Sequence, residues 1–307
     1  MPIRSRPSTR DPGISVLSEQ VKAIDLQIDH PEVDDLQQGF RAKSLRAHVL
    51  SLIHRWPYEL LAEQARGKQV LELGCNKGFG TIIYAEHAAG IKAVDTSPAA
   101  IDKAREYNPR DNIEYVCLDS WTLPFDDDSF DLTVLFQVIE HIALDKLDIF
   151  LREIRRVTRA DGRVIFTTPN RQIRLLPLQK PWNRFHTKEY SAADLGRLLQ
   201  DYFAEVKVEG LFGVEEINRI ERRRVRQKPA KVYFKEPLRK FLVRPLFGWL
   251  TSGRKASRDT GSRKKADRPD VTSTEPAEFP FTTSDLEFRD HTLHQALDLR
   301  ATVVRVK

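Results

Sequence analysis

Cysteine is nearly missing from this chain: of 307 residues only Cys75 and Cys117 carry a thiol. The first lies inside a glycine turn and the second near the end of a predicted strand, too few and too internal for a disulfide framework, so a reducing cytoplasm is the expected setting. Nowhere do about eighteen apolar residues run uninterrupted, and the stretch MPIRSRPSTRDPG has charges and prolines but no apolar stretch of signal-peptide type. A membrane-spanning or secreted protein is therefore not expected. His, Cys and Asp nowhere gather at ligand spacing along the sequence, so no metal is expected either. No internal repeat is visible.

Apolar residues make up 40% of the chain, enough for one large α/β core with additions or for two small domains. The formal net charge of +6 is unevenly spread: Arg219 to Arg268 carries eighteen Lys or Arg against four acids, which leaves the remainder acidic. Attraction to polyanions belongs to that stretch.

Val70 to Gly80, VLELGCNKGFG, is the stretch on which the rest is organised. An apolar run meets an acid and then a turn with glycines at Gly74, Gly78 and Gly80, and TIIYAEHAA after it has helical character. Strand, glycine turn and helix in that order suit a nucleotide-type cofactor, whose approach a Cβ would block. A pyrophosphate-binding fingerprint would place glycines first, third and sixth, but Asn76 and Phe79 stand at the third and sixth positions. Glu72 suits a ligand that presents an ammonium group instead. Further on, IKAVD ends in Asp95, a carboxylate placed to accept both hydroxyls of a ribose. A turn-capping role is the competing reading of each of these acids.

Strands are expected at Val70 to Leu73, Ile91 to Val94, Ile113 to Leu118, Leu132 to Phe136 and Val164 to Thr167. Ser97-Pro98 reads as N-cap and first helical residue, and Ser191 with Asp194 opens another helix. Leu147, Phe150, Leu151, Ile154 and Val157 form a helical stripe. Alternation of this kind means a parallel sheet with right-handed crossovers. Upstream, Gly39 to Arg66 is expected as two helices broken at Pro57.

LDSWTLPFDDDSFDLTVLFQVIEHI, Leu118 to Ile142, DGRVIFTTPN, Asp161 to Asn170, FHTKEYSAADLGRLL, Phe185 to Leu199, and the final ALDLRATVVRVK join the glycine turn in a resemblance to a known family. The chain resembles the class I S-adenosylmethionine (SAM) methyltransferases, in their type 11, ubiquinone-methyltransferase-like small-molecule branch. The likeness covers most of residues 57–213 and about the last dozen. It implies an α/β, Rossmann-like sheet of seven strands, mostly parallel with the last antiparallel, flanked by helices. It also implies SAM as cofactor, with Glu72, Gly74, Asn76 and Gly78 at the methionine end, Asp95 on the ribose and Asp119 on the adenine amino group. Ser120 and Trp121 would line the adenine pocket and Gln137 would sit near the methyl. The Gly39 to Arg66 helices would form a lid.

The expected organisation is an N-terminal arm over residues 1–35, a cofactor-binding core over 36–213, a basic amphipathic insertion over 214–295, disordered in 251–277, and a last strand within 296–307. Residues 235–250 mix Leu, Phe and Trp with Lys and Arg, which suits an anionic membrane surface; docking on the core is the alternative. For a hydroxyl acceptor, His141 and His186 are the candidate general bases, with Glu140 and Glu189 to orient them and Asn170 and Tyr190 beside the substrate. A catechol-type magnesium-dependent enzyme is disfavoured, as is methylation of an exocyclic base amine, because QVIEHI follows the fourth strand in place of an Asn-Pro-Pro-Tyr type sequence. The acceptor expected is a small molecule, a sugar or a lipid-linked intermediate, methylated at oxygen, by a cytoplasmic protein that associates peripherally with membrane. RNA binding through the basic insertion, and a catalytically silent scaffold, are the alternatives.

Overall fold

Val70 and Leu71 point to opposite faces of the same strand and are both fully buried, each in a different apolar cluster. A strand that is apolar on both sides needs cover on both sides, which is the requirement of a parallel sheet between helices. The computed structural model describes residues 44–226 and 279–305. The expected N-terminal arm, the membrane-facing stretch 235–250 and the polar stretch 251–277 lie outside the described residues.

The strands are β1 (Gln69–Leu73), β2 (Gly90–Asp95), β3 (Ile113–Cys117), β4 (Phe130–Phe136), β5 (Thr158–Pro169), β6 (Glu205–Gly213), β7 (Leu286–Arg289) and β8 (Asp298–Val304). They form one sheet in the order β3-β2-β1-β4-β5-β8-β6-β7. The first five are parallel, β8 runs antiparallel between β5 and β6, and β7 is antiparallel to β6 on the outer edge. Eight strands stand where seven were expected. The extra one, β7, comes from the stretch assigned to the insertion, where Leu286 is buried while Glu287 is exposed. Four residues with so short an alternation give no strand signal until β6 supplies a partner.

The helices are α1 (Leu45–Gln64), α2 (Thr81–Tyr84), α3 (Pro98–Tyr107), α4 (Leu147–Val157), α5 (Arg171–Arg174), α6 (Ala192–Gln200) and α7 (Glu215–Val225). α3 starts where Ser97 Oγ accepts from the Ala100 N–H, and α6 where Ser191 Oγ accepts from the Asp194 N–H. All five stripe residues of α4 are buried, each worth about 1.5–3 kcal/mol of transfer free energy. α1 is one continuous helix, not two. Pro57 removes one backbone donor, but Val49 and Ile53 on one side pack against Leu211 and Ile217, while Tyr58 and Leu61 on the other join the cluster under β1. Both halves are anchored, so the helix runs through.

Strand order reverses between β2-β1 and β4, leaving a crevice at the carboxyl ends of β1 and β4. Glu72, Asp95, Asp119 and Gln137 stand at or just beyond the carboxyl ends of β1, β2, β3 and β4 in turn.

Candidate active site

The turn after β1 is held by its own backbone and by Asp95. Gly74 and Gly78 take φ of 82° and 76°, and Asn76 takes 50°, left-handed values that glycine adopts freely and asparagine tolerates. A Cβ on Gly74 would lie 2.5 Å from Val138 Cγ2, and one on Gly78 would lie 2.6 Å from the Tyr115 hydroxyl. The Asn76 N–H donates to Asp95 Oδ2 at 2.8 Å and the Ser97 N–H donates to Oδ1 at 2.9 Å. Asp95 thus braces the cofactor turn and the start of α3 together, which joins its capping role to its place at the crevice.

Glu72 is only 2% exposed. The Tyr84 hydroxyl donates to its Oε2 at 2.7 Å, while Oε1 is buried with no partner among the described residues. Burial raises the carboxyl above its ordinary range. Tyr58 of α1 stacks on Tyr84 at 6.5 Å and meets Phe136 edge-on at 4.8 Å, so the expected lid helix contributes an aromatic wall to this end. Asn76 Oδ1 is likewise buried without a partner. A carboxylate oxygen left dry costs several kcal/mol if charged, and an ammonium donor is what would satisfy it.

Asp119 and Ser120 are exposed just past β3, and Ser120 Oγ donates to the Thr122 carbonyl. Trp121 packs edge-on against Phe150 at 6.4 Å, so one face of the indole is tied to the core. Gln137 takes φ of 59° at the end of β4 and its amide donates to Asp298 Oδ2 at 3.1 Å. Asp298, on β8, escaped the sequence analysis; burial pushes its carboxyl up to about 8. It is the first residue of a strand whose alternate positions are also polar, Arg300 and Thr302, so nothing in the sequence sets it apart.

On the other side of the crevice the two histidines meet. The Thr187 and Lys188 N–H groups donate to the Glu140 carbonyl, and the Thr187 hydroxyl donates to those of Glu140 and Ile142. These bonds stitch the loop after β4 to the loop before α6 and set the His141 and His186 rings edge to face, 4.7 Å apart. His141 Nδ1 bonds the Phe185 carbonyl at 3.1 Å, and His186 Nδ1 bonds Glu189 Oε1 at 2.8 Å. Arg174 Nε donates to the other Glu189 oxygen at 3.2 Å, and against the carboxyl's own burial the His186 hydrogen bond, with the Arg174 charge behind it, holds it below the usual range. Burial, reinforced by His186, lowers His141 to about 4; burial raises Glu140 to about 8.

Glu189 does orient His186. Glu140 does not hydrogen-bond His141: its Oε2 accepts from the Thr168 hydroxyl at 2.9 Å, and its Oε1 lies 4.0 Å from His141 Nε2. Asn170 has no exposed surface. Its amide donates to the Leu293 and Ala296 carbonyls and its Oδ1 accepts from the Gln172 N–H, so the side chain fastens β8 and caps α5. Tyr190 is also fully buried, within the main core cluster. Both were expected beside the substrate: the Asn170 amide is taken up by the fold, whereas the Tyr190 hydroxyl is buried with no partner among the described residues. Ligand spacing along the sequence gave no metal site, yet in space Glu140, His141 and His186 bring one ligand atom each within 4.8 Å of one another.

Residues 71–166 match the type 11 family model described as a methyltransferase domain. A probable S-adenosylmethionine-dependent methyltransferase of Mycobacterium tuberculosis is 36% identical over 202 residues, 66% of this chain and 68% of that protein. The chain belongs to the S-adenosylmethionine-dependent methyltransferases. A malonyl-[acyl-carrier protein] O-methyltransferase of Halorhodospira halophila is 31% identical over 43% of this chain and 47% of its own length. A ubiquinone biosynthesis O-methyltransferase of Coxiella burnetii is 28% identical over 52% and 67%. Among solved structures, the [4+2]-cyclase SpnF has a TM-score of 0.51 at 14% identity over 96% of this chain and 97% of its own. Likeness at that identity establishes the fold and says nothing of the reaction. This methyltransferase uses SAM, and the buried Glu72 Oε1 and Asn76 Oδ1, without partners among the described residues, fit a cofactor that brings its own donors. No helix among the described residues is long and apolar enough to cross a membrane.

Proposed function

We propose that this methyltransferase acts on an oxygen of a small-molecule, sugar or lipid-linked acceptor. When bound, SAM supplies an electrophilic methyl group. Glu72 and the Gly74 to Gly78 backbone would hold its methionine end, Asp95 and Asp119 its ribose and adenine, and Gln137 the neighbourhood of the methyl. The protein's share of catalysis is mainly alignment and exclusion of water, because in-line transfer needs two reactants held in register.

The paired histidines carry the oxygen assignment. An acceptor hydroxyl must lose its proton as it reacts, and His141 and His186 stand at the same sheet edge as the cofactor acids, with Glu189 fixing His186 at 2.8 Å. The O-methyltransferase names of two relatives support the same choice. RNA as acceptor is less well supported: on α7, Arg219 and Arg224 pair with Glu216 and Glu221, and Arg222 reaches the Gln295 carbonyl, so that face is partly neutralised.

Incubation of the full chain with methyl-labelled SAM and fractionated extract of the source cells tests the proposal. Label is expected in the lipid or glycan fraction, or in small molecules, in a base-stable ether or an ester. Label in RNA or protein would overturn it.

A further inference from the structure

We propose that Asp298 is a positioning residue for the methyl end of the cofactor site. By holding the Gln137 amide nitrogen it turns the amide oxygen toward the sulfonium, so that the cleft prefers SAM over its demethylated product, a role that rests on Gln137 standing in the neighbourhood of the methyl.

The carboxyl ends of the strands carry the cofactor groups in spatial order: Asp119 after β3, Asp95 on β2, Glu72 on β1 and Gln137 after β4. β5 and β8 come next, and Asp298 opens β8 opposite Pro169 at the end of β5. From 161 residues further along the chain, its side chain reaches back across β5 to Gln137. Gln137 Nε2 donates to Asp298 Oδ2 at 3.1 Å and to Thr167 Oγ1 at 3.4 Å. A carboxylate only accepts, so this network assigns the nitrogen to the Asp298 side and Oε1 to the other. Oε1 bonds nothing among the described residues, and Gln137 is only half-buried.

Both ends of the bond are held at a cost. Gln137 takes φ of 59°, a left-handed backbone that a residue with a Cβ adopts where its surroundings enforce it. Here the Thr167 carbonyl does so, accepting from the Gln137 N–H at 2.9 Å. Asp298 stands where burial disfavours its charge, with Arg174 of α5, Glu221 and Arg224 of α7 and Glu140 of the loop after β4 around it. Yet among the described residues its carboxylate makes one side-chain hydrogen bond, to Gln137. A buried acid with so little structural return serves that one partner.

SAM and its product differ only in the methyl and the positive charge. An amide oxygen facing the sulfonium attracts that charge and the polarised methyl hydrogens, and does little for a neutral thioether. The reversed amide would present its N–H groups to the cation. Asp298 as a carboxylate excludes the reversed orientation, because it has no proton to donate to Oε1.

The test is calorimetric titration of the full chain with SAM and, separately, with S-adenosylhomocysteine at about pH 8.5, above the value of about 8 to which burial raises Asp298. Asp298→Ala removes the acceptor, and Asp298→Asn keeps the shape but donates as readily as it accepts. Each should weaken SAM by about threefold or more and leave S-adenosylhomocysteine within about twofold of the parent. Burial opposes the charge that both variants remove, so both should fold, which thermal melting reports. Gln137→Leu should cost SAM as much, and adding Asp298→Ala to it should cost nothing more, because Asp298 acts through Gln137. Equal losses for the two ligands, a preference for SAM unchanged in either folded Asp298 variant, or additive losses in the double variant overturn the proposal. A preference unchanged in Gln137→Leu overturns it too, and moves the methyl away from Gln137. A preference that falls in Gln137→Leu but holds in the Asp298 variants leaves the methyl beside Gln137 and overturns the role of Asp298 alone.

Discussion

Glu72 concentrates the cofactor chemistry in one side chain. One oxygen is held by Tyr84 at 2.7 Å and the other is buried without a partner, so the group is dry, oriented and short of a cation. Glu72→Gln keeps the shape and the Tyr84 bond but removes the charge. A hydrogen bond to a charged group is worth about 1.5–3 kcal/mol, so calorimetry should give a dissociation constant for SAM or its demethylated product raised by about 10–100-fold. The melting temperature without ligand should stay level or rise, because burial opposes the charged form that the amide replaces. Affinity within about twofold of the parent would remove Glu72 from the cofactor site. Glu72 and Asp95 were legible in the sequence because each lies at a strand end beside its own turn. Asp298, Thr168 and Arg174 were not, since each reaches the cleft from a distant segment. His141 and His186 were legible as residues, but their meeting was not: it depends on Thr187 bonding the Glu140 carbonyl across the intervening chain.

At the scale of elements, local signals fixed the helix starts and tertiary contacts fixed the ends. Ser97 and Ser191 cap where a serine before a helical run should. TIIYAEHAA, by contrast, holds a helix for only Thr81–Tyr84. The Asn112 amide takes the Ala85 and Ala88 carbonyls at 2.7 and 3.0 Å, and the Gly67 N–H takes the His87 carbonyl at 2.8 Å. Those carbonyls are drawn to partners outside the segment, the Ala85 carbonyl keeping beside them a long 3.3 Å bond from the Ala88 N–H, so the helix stops and the chain passes into β2. Asn112→Ala would strip both amide bonds from a partly buried connection, at a cost of about 1–3 kcal/mol. Urea unfolding followed by circular dichroism should show the midpoint lowered with an unchanged slope. An unaltered midpoint would mean that the β2 pairing alone ends α2.

For the molecule as a whole, the decisive placement is that of its last strand. The same seven residues of β8 pair with β5 on one side and with β6 on the other, so the final segment of the described chain lies inside the sheet. Leu299, Ala301 and Val303 have no exposed surface. The strand also carries Asp298 to Gln137, and the segment just before it receives both amide bonds of Asn170, at the Leu293 and Ala296 carbonyls. Without it the paired β6 and β7 have no strand pairing to the parallel half, two rows of backbone donors and acceptors lose their partners, and the crevice loses one wall. A chain ending at Gln295 should therefore fail to give a cooperative thermal transition and should accumulate as aggregate. A chain ending at Arg305, which retains the whole strand and the arginine bonded to the Thr158 carbonyl, should melt within a few degrees of the parent. Cooperative folding of the shorter chain would mean that the parallel half carries the stability alone. It would also place the β6–β7 pair among the additions to the core and not within it.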